Sequence, residues 1–292
     1  MGNCKYDYLS KCGCTNTLIE SKPLKMNILL PTDFSENADI ATEYAFKLAE
    51  KSQGKVTVLH AYDLPYSDRS MSTSLLEVMK ENAESNMKDY VKELKSRYST
   101  PFESLVRLGN PIRLITETSR LDSIDMIVMG TKGASGLEEV LIGSNAASVI
   151  QNTQKPVMVI PPVATWTEID KIIFATDLDL KVKEQPLQRL REFALLNNSS
   201  IDLVYVQTEK APADGSRKFY SSNLEGVNHE FTILKSGDIE KSISAEAEKE
   251  KANLITAIAK RYGFFEGLFH RSMTNKLAYH SRLPLLVLHE PK

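Results

Sequence analysis

The chain has 292 residues, of which 42% are hydrophobic and 25% are charged, and its formal net charge is −2. This length is typical of about two domains, and so small a net charge gives no electrostatic reason to expect nucleic acid or a membrane surface as a partner. No apolar run approaches the roughly 18 residues that span a bilayer, and the N-terminus lacks the apolar core of a signal peptide. The sequence therefore predicts a soluble, cytoplasmic protein.

Residues 1–25 are predicted to be a flexible tail that precedes the globular part. The three cysteines, Cys4, Cys12 and Cys14, all lie in this tail, so their position excludes a disulfide framework for the fold. No fourth ligand lies nearby, and no metal site is expected.

Residues 26–163, the first half, alternate short apolar runs with helical patterns. Apolar runs of strand length lie at 27–31, 55–61, 104–108, 125–129 and 156–160. After the first run, Ser35 is a predicted N-cap, and the apolar residues that follow it recur at helical spacing. Because the strands are continuous apolar runs and alternate with helices, we expect a doubly wound α/β domain whose parallel sheet is covered on both faces.

The most informative stretch follows the fourth strand, from Met129 to Ala146. Gly130 and Gly133 can let backbone approach a ligand closely, and Gly143-Ser144 stands where a helix begins. The free N–H groups and positive dipole of a helix start favour an anion such as phosphate. The stretch therefore predicts a phosphate-binding loop, with a glycine-rich surface loop as the alternative.

Asp33 stands at the carboxyl end of the first strand, as Gly130 does for the fourth. Ligands of open α/β sheets bind beyond the carboxyl ends of the strands, where the strand order reverses. If these two strands are neighbours, Asp33 faces the glycine loop across a crevice. Its alternative role is to cap the helix that follows.

After a linker at 161–165 the pattern starts again, and residues 164–292 form the second half. Asp177 follows Asp33 by 144 positions, whereas Gly237 follows Gly109 by only 128. The second copy has therefore lost about 16 residues, which we place between its second and third strands. This is an internal duplication at domain scale.

The second copy has not kept the glycine motif. At the same offset, Ile258, Arg261 and Arg271 replace the three glycines, and only the serine persists, as Ser272. Bulky side chains would fill the space that a phosphate chain needs. Arg261, His270 and Arg271 either hold another anion or form a solvated basic face.

Residues 26–290 resemble a tandem universal stress protein. The family motif is glycine, two residues, glycine, nine residues, glycine and then serine or threonine, and Gly130, Gly133, Gly143 and Ser144 match it in full. The resemblance implies two five-stranded Rossmann-like domains, similar to the adenine nucleotide alpha hydrolases. It also implies an ATP-binding stress-response or signalling module with one nucleotide, with or without Mg²⁺, in the first domain.

The resemblance also assigns roles to residues. Asp33 would form a hydrogen bond with the ribose, and the backbone at Ala61, after the second strand, would contact the adenine edge. The helix start would hold the phosphates. Lys132 is either a phosphate ligand or a surface lysine. The implied binding residues are Pro31, Thr32, Asp33, Ala61, Met129, Gly130, Lys132, Gly133, Gly143, Ser144, Asn145 and Ala146. Where Ala146 stands, some relatives carry a hydroxyl.

Family members pair edge to edge through their last strands, so 156–161 and 284–289 are expected to pair within this chain, which satisfies an open sheet edge. Association of whole chains into a homodimer stays open.

No catalytic set is evident, and His60 is expected to be a strand-end residue. Two alternatives to ATP binding stand: an interaction or scaffold protein without nucleotide, and a slow ATP hydrolase.

Overall fold

The computed structural model describes residues 25–63, 73–131, 143–207, 212–259 and 283–291. In the first half, strands and helices alternate in the predicted order. They are β1 (Ile28–Pro31), α1 (Glu36–Lys51), β2 (Val56–Tyr62), α2 (Thr73–Arg97), β3 (Phe102–Leu108), α3 (Pro111–Ser119), β4 (Met126–Gly130), α4 (Ser144–Asn152) and β5 (Val157–Ile160). Within the described ranges, no helix combines the length and apolar character needed to cross a membrane.

The second half repeats this alternation. Its elements are β6 (Lys171–Ala175), α5 (Glu184–Asn197), β7 (Ser200–Gln207), α6 (Ser216–Asn223), β8 (His229–Lys235), α7 (Ile239–Lys249), β9 (Leu254–Ala259) and β10 (Leu285–His289). Between the second and third strands, α6 has 8 residues where α2 has 25. The shortening that the sequence predicts at this point is confirmed.

Ten strands of the described residues form one sheet, in the order β3-β2-β1-β4-β5-β10-β9-β6-β7-β8. Each half is parallel throughout, and the strand order reverses between β1 and β4. The two halves meet where β10 pairs antiparallel with β5, with Leu286 opposite Met158. The predicted pairing of the last strands is confirmed, and it gives each strand the partner that a lone domain would lack.

Apolar side chains cover both faces of the sheet, as a doubly wound fold requires. On one face the core includes Leu30 with buried residues of α1, α2, α5 and α6, whereas on the other it includes Leu29 with residues of α3, α4 and α7. Successive strand residues point to opposite faces, and the inner strands β1, β4, β5, β9 and β10 are apolar at nearly every position because both of their faces are buried. The edge strands β3 and β8 carry polar and charged residues and are partly exposed.

Contacts outside the sheet also join the two halves. The Tyr44 hydroxyl of α1 donates to the Thr165 carbonyl oxygen at 2.9 Å, and its ring lies 4.9 Å from that of Trp166. At the end of β10, His289 Nε2 lies 2.8 Å from the Ile150 carbonyl oxygen, to which it donates. Burial lowers the pKa of His289 to about 4, so this histidine is neutral at ordinary pH. The linker and the last strand therefore fix the second half against α1 and α4.

Candidate functional site

The turn after β1 places Asp33 at the sheet edge. Phe34 has a φ of +61°, and Thr32 Oγ1 accepts the Phe34 N–H at 3.0 Å, which stabilises this left-handed residue. Asp33 is exposed, and its Oδ1 accepts from Ser35 N at 3.1 Å and from Ser35 Oγ at 2.6 Å. Ser35 Oγ in turn accepts from Ala38 N, so the predicted N-cap is confirmed. Asp33 thus orders the entry into α1.

His60 and Ala61 fall within the run predicted as the second strand, 55–61, so the expectation that Ala61 follows this strand is wrong. Both lie inside β2, because β3 extends the ladder past the end of β1 and pairs Ala61 with Arg107. His60 Nδ1 lies 2.9 Å from the Thr32 carbonyl oxygen. A carbonyl can only accept, so Nδ1 carries the proton. The Phe34 ring lies 4.4 Å from the imidazole and covers it.

The end of β4 lies beside this turn, since β1 and β4 are neighbours with Leu29 opposite Ile127. The side chain of Met129 is buried in the core, so only its backbone faces the sheet edge. A Cβ added to Gly130 would lie 2.6 Å from Asn37 Nδ2 and 3.0 Å from Asn37 Cγ. The expectation was that this glycine makes room for a ligand. In the structure it makes room for the Asn37 side chain of α1.

The start of α4 reaches the same edge. Gly143 is its N-cap, and the Gly143 N–H donates to the carbonyl oxygen of Thr131, the residue after β4. Among the described residues, no side chain makes a capping hydrogen bond at this helix start. Ser144 and Asn145 are exposed, whereas the methyl group of Ala146 is buried, so Ala146 can offer only its backbone N–H. The first-turn N–H groups and the positive helix end therefore form an anion-binding environment.

The predicted residues Lys132 and Gly133 lie outside the described residues, as do the cysteines of the tail and Arg261, His270, Arg271 and Ser272 of the second half. The structure brings together the end of β1 (Pro31, Thr32 and Asp33), the end of β4 (Met129 and Gly130) and the start of α4 (Gly143, Ser144, Asn145 and Ala146). Ala61 lies one strand further along the sheet. Within the described ranges, no cluster of three or more His, Cys, Asp or Glu side chains suits a metal ion.

The second half repeats the turn that follows the first strand, but it has a large side chain at the position equivalent to Gly130. Thr176 Oγ1 accepts from Leu178 N at 3.1 Å, and Leu178 has a φ of +54°. In register, Ile258 pairs with Leu288 as Gly130 pairs with Ile160. The predicted replacement of this glycine by isoleucine is thus confirmed, and the Ile258 side chain is buried in the core.

Asn37 is the site-forming residue that sequence reasoning missed. We expect Gly130→Ala to lower the free energy of unfolding by about 1–3 kcal/mol, because the added methyl group overlaps the Asn37 amide. In the Asn37→Ala background the same change should cost less, since that amide is gone and only the tight approach of 3.1 Å to the Asn37 backbone carbonyl oxygen remains. Urea denaturation of the four proteins of this cycle measures the coupling. Gly237→Ala is the control, because a Cβ there meets open space. Equal costs in both backgrounds would contradict the contact.

The profile of the universal stress protein family matches residues 26–161. A universal stress protein of Methanocaldococcus jannaschii is 30% identical over 150 residues, which cover 50% of this chain and 88% of the relative. A second one from the same organism is 28% identical over 151 residues, covering 46% and 93%.

Among solved structures, a universal stress protein from Archaeoglobus fulgidus aligns with a TM-score of 0.72 and 20% identity over 91% of this chain and 97% of its own. This likeness extends the shared fold across both halves. The relative that is 30% identical, of which 88% is covered, shows that the chain belongs to the universal stress protein family.

Proposed function

We propose that the first half binds one adenine nucleotide, ATP with or without Mg²⁺, and that the chain acts as a stress-response or signalling module. The observation that carries this proposal is that Asp33 follows β1 and the start of α4 is bonded to the residue after β4, at the edge where the strand order reverses between β1 and β4. This is the place where open α/β sheets bind their ligands.

The chemistry of the residues suits such a ligand. The exposed Asp33 carboxylate is an acceptor for ribose hydroxyl groups. The backbone N–H groups of Ser144, Asn145 and Ala146 are donors at a positive helix end, which suits phosphate oxygens. The neighbouring Thr131–Gly143 hydrogen bond holds this helix start against β4. The described hydrogen-bond donors of this site are mostly backbone N–H groups, and the negatively charged phosphates of ATP would accept from them.

The domain division 26–163 and 164–292 is part of the same proposal, with the nucleotide assigned to the first domain. In the second domain, Ile258 blocks the position of Gly130, and the sequence has Arg271 where the first half has Gly143. Both differences argue against a second phosphate site of the same design.

A scaffold protein without nucleotide is the second candidate. It is favoured by the fact that two of the proposed binding residues already serve the fold. Gly130 admits Asn37, and Asp33 holds Ser35. Either residue would therefore be needed for the shape of this edge in a protein that binds no ligand.

Gly143→Arg should remove at least about nine-tenths of the bound nucleotide, because it puts a bulky side chain at the helix start. The measurement is the adenine nucleotide content of freshly purified protein, by denaturation and chromatography, followed by titration with added ATP. Gly237→Arg is the matched control, since it adds the same group where a Cβ meets open space in the second half.

About one nucleotide per chain in the wild type, lost in Gly143→Arg and kept in Gly237→Arg, supports the proposal. No binding up to roughly millimolar ATP, about −4 kcal/mol at best, would leave the scaffold as the function. ADP in the extract, together with turnover that Asp33→Ala removes, would instead indicate a slow hydrolase.

A further inference from the structure

A serine and a histidine are hydrogen-bonded in the second half, away from the site described above. Ser221 of α6 places its Oγ 2.9 Å from Nε2 of His229, the first residue of β8. The other ring nitrogen, Nδ1, lies 2.8 Å from the carbonyl oxygen of Val227. Both side chains are half-buried, so solvent reaches them.

The second contact fixes where the proton lies. The Val227 carbonyl oxygen can only accept, so Nδ1 carries a hydrogen, and in the neutral ring Nε2 then presents a lone pair. Ser221 O–H is then the donor to Nε2. A hydroxyl that donates to an imidazole, whose far nitrogen is oriented by a third group, has the arrangement of an activated serine nucleophile.

The fold itself does not require this pair. In the first half, Phe102 holds the register position of His229, since Phe102 pairs with Val56 as His229 pairs with Ile201. The Phe102 ring packs at 5.5 Å against Phe46 and contributes to the core. A polar pair thus replaces an apolar contact at this position of the duplicated fold.

A cation lies on the same side of α6. Arg217 precedes Ser221 by four residues, so the two share one helix face. Its guanidinium carbon lies 5.4 Å from the centroid of the Phe231 ring, and that ring lies 5.9 Å from His229. Arg217 is exposed and can bind a phosphate in bidentate fashion. The neighbourhood therefore suits a substrate with an anionic phosphate group.

We propose that Ser221 is a nucleophile activated by His229 and that it accepts the acyl group of small acyl phosphates. Ser221 Oγ forms a bond to the carbonyl carbon, and the bond from this carbon to the bridging oxygen breaks. The bridging oxygen keeps the electron pair and leaves with the phosphate, on which Arg217 acts. The serine proton passes to His229 Nε2 and then to the phosphate. The products are an O-acyl serine and inorganic phosphate.

The test treats the full-length protein with acetyl phosphate and locates acyl groups by tandem mass spectrometry. Hydroxylamine separates the serine ester, which it cleaves, from lysine amides, which it leaves. We expect an ester on Ser221. The matched control residue is Ser222, whose hydroxyl donates to the Phe219 carbonyl oxygen at 2.9 Å and has no histidine partner among the described contacts. Ser222→Ala should label like the wild type.

His229→Gln should slow acylation of Ser221 by about a hundredfold or more, since a general base contributes roughly 10²–10⁴-fold. Arg217→Gln should slow acylation by acetyl phosphate but not by the neutral ester p-nitrophenyl acetate. Absence of an ester on Ser221 in the wild type, equal labelling of Ser222, or an unchanged rate in His229→Gln would overturn the proposal. Equal slowing of both donors by Arg217→Gln would overturn the assignment of acyl phosphates as substrates.

Discussion

Gly54→Ala is expected to lower the free energy of unfolding by about 3 kcal/mol or more, at the upper end of overpacking costs. A Cβ at Gly54 would overlap the carbonyl oxygen of Met26 and lie 2.6 Å from its carbonyl carbon. These are backbone atoms at the entry to β1, so no change of rotamer relieves the overlap. The Gly54 N–H also donates to Ala49 O at 2.8 Å, which ties the turn to the end of α1.

The denaturation midpoint in urea, with its slope, measures this effect. Gly237→Ala is again the control, since a Cβ there meets nothing within 4 Å. If the two variants are equally stable, Met26 does not lie against Gly54 in solution. A large loss should also weaken nucleotide binding, because β1 and α1 together hold the Asp33 turn.

Asp202→Thr is expected to stabilise the protein by roughly 2 kcal/mol at pH 8 and to change its stability little at pH 4. Asp202 is 1% exposed, and burial raises the pKa of its carboxyl to about 6, with further raising by Glu230 and Glu246. Thr232 donates to its Oδ2 at 3.1 Å, whereas Oδ1 has no partner in the described structure.

The sign follows from the raised pKa. The folded state holds the Asp202 proton more tightly than the unfolded state, so this stabilisation is complete below about pH 4 and is lost as pH rises through about 6. Threonine carries no charge and occurs at the same register position in the first half. There Thr57 Oγ1 donates to Glu103 at 2.8 Å, and Glu103 corresponds to Glu230.

Urea unfolding of the wild type and Asp202→Thr at several pH values between 4 and 8 is the measurement. The wild type should lose stability across this range by more than the variant does. The control is Asp122→Thr at an exposed position, which should stay within about 0.5 kcal/mol of the wild type. Parallel pH profiles for wild type and Asp202→Thr would mean that Asp202 does not titrate in this range.

The strands and helices were predictable because their signals are local. The helix start at Ser35 and the positions of Ala38, Ala41 and Leu48 follow from capping and helical spacing, and these apolar side chains are buried as expected. The pairing of β5 with β10 was predictable from the internal duplication together with the resemblance to the family. The helix assignments need only neighbouring residues, whereas the strand pairing needs the repeat together with the family resemblance.

The contacts that sequence reasoning missed join residues far apart in the chain. Nothing near Gly130 in the sequence indicates that Asn37 fills the space beside it, and the pairing of Ala61 with Arg107 depends on the length of β3. The buried Asp202 interrupts a strand that otherwise looks apolar. A position-by-position comparison of the two copies would have identified it, since threonine stands at the equivalent place in the first.

The antiparallel junction of β5 and β10 joins two similar halves, and each half has its own sequence within the one chain. In a symmetric dimer of separate subunits, every substitution appears on both sides of the interface. In this chain a substitution appears on one side only. The second half can therefore carry Ile258 at the position of Gly130 while the first half keeps its glycine. Covalent linkage thus lets the two halves diverge in function while they share one sheet.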